Sequence, residues 1–180
     1  MQVELTPFEG LLILRPIVFG DDRGYFFESW NLETFLNAGI DVSFVQDNQS
    51  ASVKNVVRGL HFQIPPFEQG KLVRVIKGSV LDVVVDLRQN QPTFGQHFKM
   101  VLDEQKKEML YIPPGFAHGF RTLEDQSVFF YKCTKVYKRE CERSIRWNDP
   151  DLGIDWEISN PTLSDKDQNA QFFKDFLNPF

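Results

Sequence analysis

Apolar residues in this chain fall in short runs of strand length, separated by clusters of glycine, proline and charged residues. Leu11 to Val18 predicts a first strand, with Pro7 and Pro16 near its ends. Gly20-Asp21-Asp22-Arg23-Gly24 predicts a turn, followed by an aromatic strand from Tyr25 to Trp30. Asn31 is placed to cap a short helix over Leu32 to Ala38, and Gly39 to end it. Ile40 to Gln46 reads as extended, and Asp47-Asn48-Gln49-Ser50 as a polar turn. Val80 to Leu87 is a strong strand pattern carrying Asp82 and Asp86, whose face the pattern leaves open. Asn90 to Gly95 reads as a loop. Strands follow at His97 to Leu102 and Met109 to Ile112, joined by a charged turn from Asp103 to Glu108. Pro113-Pro114-Gly115 is a bend before Phe116 to Phe120, and Ser127 to Thr134 is a further strand. Trp147-Asn148-Asp149-Pro150 and Asn160-Pro161 mark irregular structure, and Ser164 opens a last helix with Asp165 and Asp167 in its first turn. Many short strands with frequent turns predict an all-β sandwich or barrel, with helices only near the two ends. No repeat or linker divides the chain, which reads as one domain over residues 1–180.

The stretch from Val56 to Arg74 concentrates chemistry on this framework. Arg58, His61, Lys71 and Arg74 lie among apolar residues that read as strand. A lone histidine in such a setting is more commonly a core residue with a satisfied hydrogen bond. Here the neighbouring cations and Pro65-Pro66 favour a functional role, because a neutral imidazole takes a proton near pH 7 and a cation stabilises a developing oxyanion. Strict alternation would turn Arg58 and His61 to opposite faces. If both face one pocket, the strand is bulged or kinked at Gly59.

Composition narrows the options. Apolar residues make up 42% and charged residues 25% of 180, as in a soluble globular domain, and the 18 phenylalanines predict a large aromatic core or subunit interface. A net charge of −5 without a basic run argues against extended nucleic-acid binding, while leaving room for a local phosphate pocket. No signal peptide or bilayer-length apolar segment is evident, so no membrane partner is expected. Cys133 and Cys141 form no metal or disulfide framework, and reduced cysteines fit a cytoplasmic location.

Two motifs, Arg-Gly-Leu-His-Phe-Gln with Gln69-Gly70-Lys71-Leu72-Val73-Arg74, and Ile112-Pro113-Pro114-Gly115-Phe116-Ala117-His118-Gly119-Phe120, resemble the dTDP-4-dehydrorhamnose 3,5-epimerase family. Asp22-Arg23-Gly24, Gln46-Asp47-Asn48, Pro92-Thr93-Phe94-Gly95, Ile145 to Pro150 and Leu163 to Asp167 match in the family's order and extend the resemblance over nearly the whole chain. It implies a double-sheet jelly roll of the cupin type, a homodimer, no cofactor or metal, and a dTDP-linked 4-keto-6-deoxy sugar as substrate. Carbons 3 and 5 flank the ketone and are acidified by it, so inversion needs a base, an acid on the opposite ring face and a cation near the ketone oxygen.

Residue by residue, the resemblance assigns His61 as base, Asp167 as the carboxylate that orients it, Tyr131 as acid and Lys71 as the cation. Among binding positions it matches Arg23, Phe26 and Glu28 to residues that reach across the dimer to the nucleotide. Gln46, Asn48, Arg58, His118, Glu142 and Lys166 match other ligand contacts, and Tyr137 matches a residue that stacks on thymine. Without the resemblance, Tyr131 would read as a packing residue, Lys71 as a solvated turn residue and Glu142 as a solvated charge. Three other functions compete. A metal-dependent cupin would need a second closely spaced ligand where His61-Phe62-Gln63 has glutamine, and the chain holds three histidines in all. A non-catalytic sugar-binding module would explain a pocket but not the base, acid and cation together. A relative that inverts only carbon 3 or only carbon 5 would share the same base and enolate.

Overall fold

The structure, a computed structural model, describes all 180 residues. Its strands are β1 (Gln2–Leu5), β2 (Leu12–Arg15), β3 (Phe19–Asp21), β4 (Gly24–Phe26), β5 (Gln46–Ser52), β6 (Val57–Gln63), β7 (Lys71–Lys77), β8 (Ser79–Asp86), β9 (His97–Asp103), β10 (Met109–Ile112), β11 (Phe116–Thr122), β12 (Ser127–Cys133) and β13 (Glu142–Ser144). The helices are α1 (Leu32–Asn37) and α2 (Asp165–Gln168). Six strands form one antiparallel sheet in the order β1-β2-β10-β7-β12-β5, and five form the facing sheet, β13-β6-β11-β8-β9. The expected double-sheet jelly roll is therefore the fold. The hairpin β3–β4 stands apart from both sheets. No helix is long and apolar enough to cross a membrane.

The five-stranded sheet is covered on both faces around β8, which explains why β8 is buried along its whole length. Val80 and Val84 join Val73, Val75, Phe120 and Phe129 between the sheets. Leu81, Val83 and Val85 point the other way, onto a layer that includes Trp156, Phe173, Phe176 and Phe180 from the C-terminal segment. The outer face of the six-stranded sheet carries Leu14, Leu72, Met109 and Tyr111 against Phe35 of α1 and Ile40. Period-two alternation then sets Asp82 and Asp86 on the interior face with Val80 and Val84. Asn31 caps α1, accepting from the Thr34 amide at 3.1 Å.

Four expectations from sequence need correction. Asp47-Asn48-Gln49-Ser50 is no turn but the middle of β5, whose partner is β12. Its polarity arises because one face looks into a cleft and the other into solvent. The first apolar run is strand only as β2 and ends at Pro16, with β3 starting beyond the run at Phe19, since proline supplies no ladder donor. The aromatic strand ends at Phe26, and β1, unread in the sequence, supplies the sheet edge beside β2.

The decisive local feature is the irregularity in β6. His118 pairs with His61 and Phe120 with Arg58, so Gly59 and Leu60 on β6 oppose the single residue Gly119 on β11. This bulge shifts the alternation by one. Arg58, His61 and Gln63 thereby share the interior face, while Leu60 and Phe62 pack outward. Two glycines permit it. Gly59 has φ +132, and a Cβ there would lie 2.5 Å from Gly119 Cα. A Cβ on Gly119 would lie 2.7 Å from the Arg58 carbonyl oxygen. Gly119→Ala forces backbone apart from backbone, and we expect it to cost about 1–3 kcal/mol, an overpacking penalty. Urea denaturation should show a lowered midpoint with an unchanged m-value; an unchanged midpoint would mean that the strands can separate freely at the bulge.

Candidate active site

The two sheets part at one end around a cleft of about 450 Å³. The five-stranded sheet contributes Arg58, His61 and Gln63 from β6 and His118 from β11. The six-stranded sheet contributes Gln46 and Asn48 from β5, Lys71 from β7, and Tyr131 and Cys133 from β12. Phe120 and Phe129 stack across the gap with centroids 4.3 Å apart, giving the cleft an apolar floor. Tyr137 and Glu142 also line it.

His61 is oriented by Asp167. Its Nε2 lies 2.5 Å from Asp167 Oδ1, on α2, a segment more than a hundred residues away in the chain. An ionised carboxylate only accepts, so Nε2 donates, and the lone pair is left on Nδ1. Asp167 is buried. Burial alone would raise its carboxyl, but the bonds to His61 and to the Ser164 hydroxyl, with Lys166 nearby, hold it below the usual carboxylate range. The carboxylate is thus kept ionised and the imidazole held in one tautomer.

Lys71 is buried, and its Nζ donates to the His61 carbonyl at 3.3 Å. Loss of hydration pulls its ammonium below the ordinary lysine value, against the raising influence of Cys133, Asp82 and Glu142. The Tyr131 ring lies 5.9 Å from Nζ. Burial pushes its phenol up, so the proton is firmly held. His118, directly opposite His61 in the ladder, is also buried and bonds through Nε2 to Asp82 Oδ2 at 2.9 Å. Burial lowers its pKa more than Asp82 raises it, and neighbouring Lys71 and His61 lower it further, which leaves a neutral imidazole near pH 7.

Nine of the residues singled out in sequence therefore line one cleft: Gln46, Asn48, Arg58, His61, Lys71, His118, Tyr131, Tyr137 and Glu142. Lys166 reaches it indirectly, through an ion pair of 2.5 Å with Glu142, whose other oxygen accepts from the Tyr137 hydroxyl at 3.1 Å. Arg58 donates to Ser52 Oγ from both Nε and Nη2, and Gln46 donates to Asn48 Oδ1. Arg23, Phe26 and Glu28 do not join the cleft of their own chain. They belong to the β3–β4 hairpin and the residues just after it, where Arg23 pairs with Asp21 and Phe26 is 66% exposed. His97 bonds to the Leu152 carbonyl, away from the cleft.

Sequence reasoning did not single out Asp82 as the partner of His118, nor Gln69, Cys133, Phe120 and Phe129 as lining. A signal did exist for most of them. Phe120 is two residues from His118, and Phe129 and Cys133 are each two from Tyr131, which is same-face spacing on a strand.

The family model described as dTDP-4-dehydrorhamnose 3,5-epimerase matches residues 5–175. The dTDP-4-dehydrorhamnose 3,5-epimerase of Salmonella typhimurium is 52% identical over 172 residues, covering 94% of each chain. The crystal structure of the Elizabethkingia anophelis dTDP-4-dehydrorhamnose 3,5-epimerase superposes with a TM-score of 0.93 at 47% identity, over 99% of this chain and 98% of that one. That of the Legionella pneumophila dTDP-6-deoxy-D-glucose-3,5-epimerase, in complex with dTDP-4-keto-L-rhamnose, gives 0.92 at 44% identity, over 96% and 93%. With this fold, this cleft and these likenesses along nearly its whole length, the chain belongs to the dTDP-4-dehydrorhamnose 3,5-epimerase family.

Proposed function

We propose that this protein inverts carbons 3 and 5 of dTDP-4-keto-6-deoxy-D-glucose, without a cofactor, to give dTDP-4-dehydro-L-rhamnose. The observation that carries this reading is the His61–Asp167 pair on one wall of a cleft whose opposite wall supplies Lys71 and Tyr131. His61 Nδ1 takes the proton from the carbon beside the ketone, and Asp167 stabilises the imidazolium that forms. The electron pair moves onto the ketone oxygen, where the Lys71 ammonium meets it in a setting that excludes most water. Tyr131 returns a proton from the other ring face, so the centre inverts; a base that gave back its own proton would regenerate the starting sugar. His118 and Arg58, with Gln46 and Asn48, hold the sugar and pyrophosphate, guanidinium being suited to phosphate oxygens. Tyr137, Glu142 and Lys166 complete the nucleotide end.

We further propose that residues 1–180 act as one catalytic unit in a homodimer. Phe19, Tyr25 and Phe26 are each at least 60% exposed on the hairpin. A second copy that covered them would bring Arg23, Phe26 and Glu28 to its own cleft. Two buried free cysteines support a cytoplasmic location.

NMR of the keto sugar nucleotide in deuterated water tests the chemistry. Solvent deuterium should enter at both carbons; entry at one alone would mark a single-site epimerase, and at neither would overturn the reading. His61→Ala should lose turnover by roughly two to four orders of magnitude while still binding dTDP, as removal of a general base requires. Tyr131→Phe should retain exchange from the unreacted sugar while net inversion at carbon 5 falls; wild-type inversion in this variant would identify another donor.

Activity should also fall at high pH through Lys71. The reaction needs its ammonium, whose pKa burial lowers, whereas Tyr131 loses its proton only above the ordinary phenol value of about 10. The alkaline limb of kcat/KM therefore belongs to Lys71 and lies below its ordinary value of about 10.4. Lys71→Arg, which stays charged throughout, should turn over more slowly with that limb displaced upward. An unmoved limb would assign it elsewhere.

Sedimentation at low micromolar concentration should give a dimer, and Arg23→Ala should raise KM. A fully active monomer would be the contrary result.

A further inference from the structure

We propose that Ser164 is a positioning residue for the reaction, its hydroxyl locking the carboxylate that orients the base. The inference rests on the assignment of His61 as base. Asp167 presents one oxygen, Oδ1, to His61 Nε2 at 2.5 Å. Its other oxygen, Oδ2, accepts from Ser164 Oγ at 2.8 Å. The same Oγ accepts from the Asp167 amide at 3.2 Å. One hydroxyl thus grips both the backbone and the side chain of Asp167. A hydroxyl has one proton to donate and lone pairs to accept with, so the two roles are compatible.

The arrangement matters because α2 is a single turn and cannot hold a side chain rigid by itself. Its approach to β6 is set just upstream, where Val56 bridges Thr162 and the Val57 amide donates to the Thr162 carbonyl at 3.0 Å. Downstream, Arg146 donates to the Gln168 carbonyl at 2.8 Å. These contacts place the helix but leave the Asp167 carboxylate free to rotate. The Ser164 hydroxyl is the group that stops it. Without it, a carboxylate only 3% exposed would have a buried acceptor with no donor. It would turn towards its own amide or Lys166, and the imidazole would lose the partner that fixes its ring and tautomer.

Charged groups near the pair are Lys166 on the same helix, Glu142 on β13, which pairs with Lys166, and Lys71 on β7. None of them donates to Oδ2. The Ser164 bond is one of the influences that hold the Asp167 carboxyl low, so its loss raises that carboxyl.

Ser164→Gly tests this, because glycine is nearly as good as serine at a helix N-cap but offers no hydroxyl. The variant should keep its thermal midpoint and its KM close to the wild type. Its kcat should fall on the order of ten- to a hundredfold, the size expected of a misplaced catalytic group. Ser164→Thr, which restores the hydroxyl, should recover most of the rate. If the glycine variant unfolds, Ser164→Asp retains the cap without a proton to give at neutral pH, and the same loss is expected. A wild-type rate in either capped variant overturns the proposal, as does loss of midpoint alone. Wild-type protein that exchanges no sugar protons, or His61→Ala that turns over normally, overturns the underlying assignment of the base instead. Independently of substrate, nitrogen-15 NMR of the His61 ring should show one tautomer in the wild type and a mixture in Ser164→Gly.

Discussion

The close approach of β6 and β11 at Gly59 and Gly119 is the constraint on which the rest of the site depends. A strand presents alternate residues to opposite faces. Without an extra residue, Arg58 and His61 could not look into the same cleft. The bulge supplies that residue, and the two glycines make it sterically possible, because a Cβ on Gly59 would lie 2.5 Å from Gly119 Cα and one on Gly119 3.1 Å from Gly59 Cα. Every interior position of β6 beyond the bulge, His61 and Gln63 included, owes its direction to this shift. Phe62, turned outward by it, packs on Phe176 at 5.0 Å and Phe180 at 6.2 Å. Catalytic geometry and outer-layer packing are thus two consequences of one backbone irregularity.

Opposed sheets give the cleft its chemical asymmetry. The five-stranded sheet presents imidazoles backed by buried carboxylates, His61 by Asp167 and His118 by Asp82. The six-stranded sheet presents a buried ammonium and a half-buried phenol. Burial acts on each according to the sign of its charged form. It lowers the lysine, raises the tyrosine and keeps His118 neutral. In the proposed reaction a base and an acid on opposite walls would meet a flat enolate from opposite sides, which is the requirement for inversion. The low polarity that makes Lys71 costly to charge also strengthens its attraction for a developing oxyanion.

The C-terminal segment joins stability to catalysis. It covers the outer face of the five-stranded sheet with Trp156, Phe173 and Phe176, and on the way it delivers α2 to the edge of the cleft. The Phe173 amide is held by Asp149 Oδ2 at 2.6 Å, and the Arg146 amide by the Gln171 carbonyl at 2.8 Å. The carboxylate that orients His61 is therefore anchored by the packing of the segment that carries it.

The sequence by itself determined the all-β class, the positions of β8, β9, β10 and β12, and the cap of α1. Each of these is local: apolar runs bounded by glycine and proline, or Asn31 with its amide partner three residues on. It also contained the reason to expect a bulge, because Arg58 and His61 are three apart with a glycine between. Family motifs identified the residues of the cleft, down to the pairing of His61 with Asp167. Polar β5 was misread, because its inward residues face a wet cleft and its outward ones solvent, so it has no apolar face to read. The face of Asp82 and its pairing with His118 depended on which side of β8 lay between the sheets. Both sides are apolar, so alternation had no sign to read. The role of Gly119 required knowing that Gly59 and the Arg58 carbonyl stand against it, and the role of Ser164 that its near neighbour Asp167 meets His61 from more than a hundred residues away. Such neighbours are set by the pairing of β6 with β11 and by the return of the C-terminal segment to β6, and only the tertiary structure decided them.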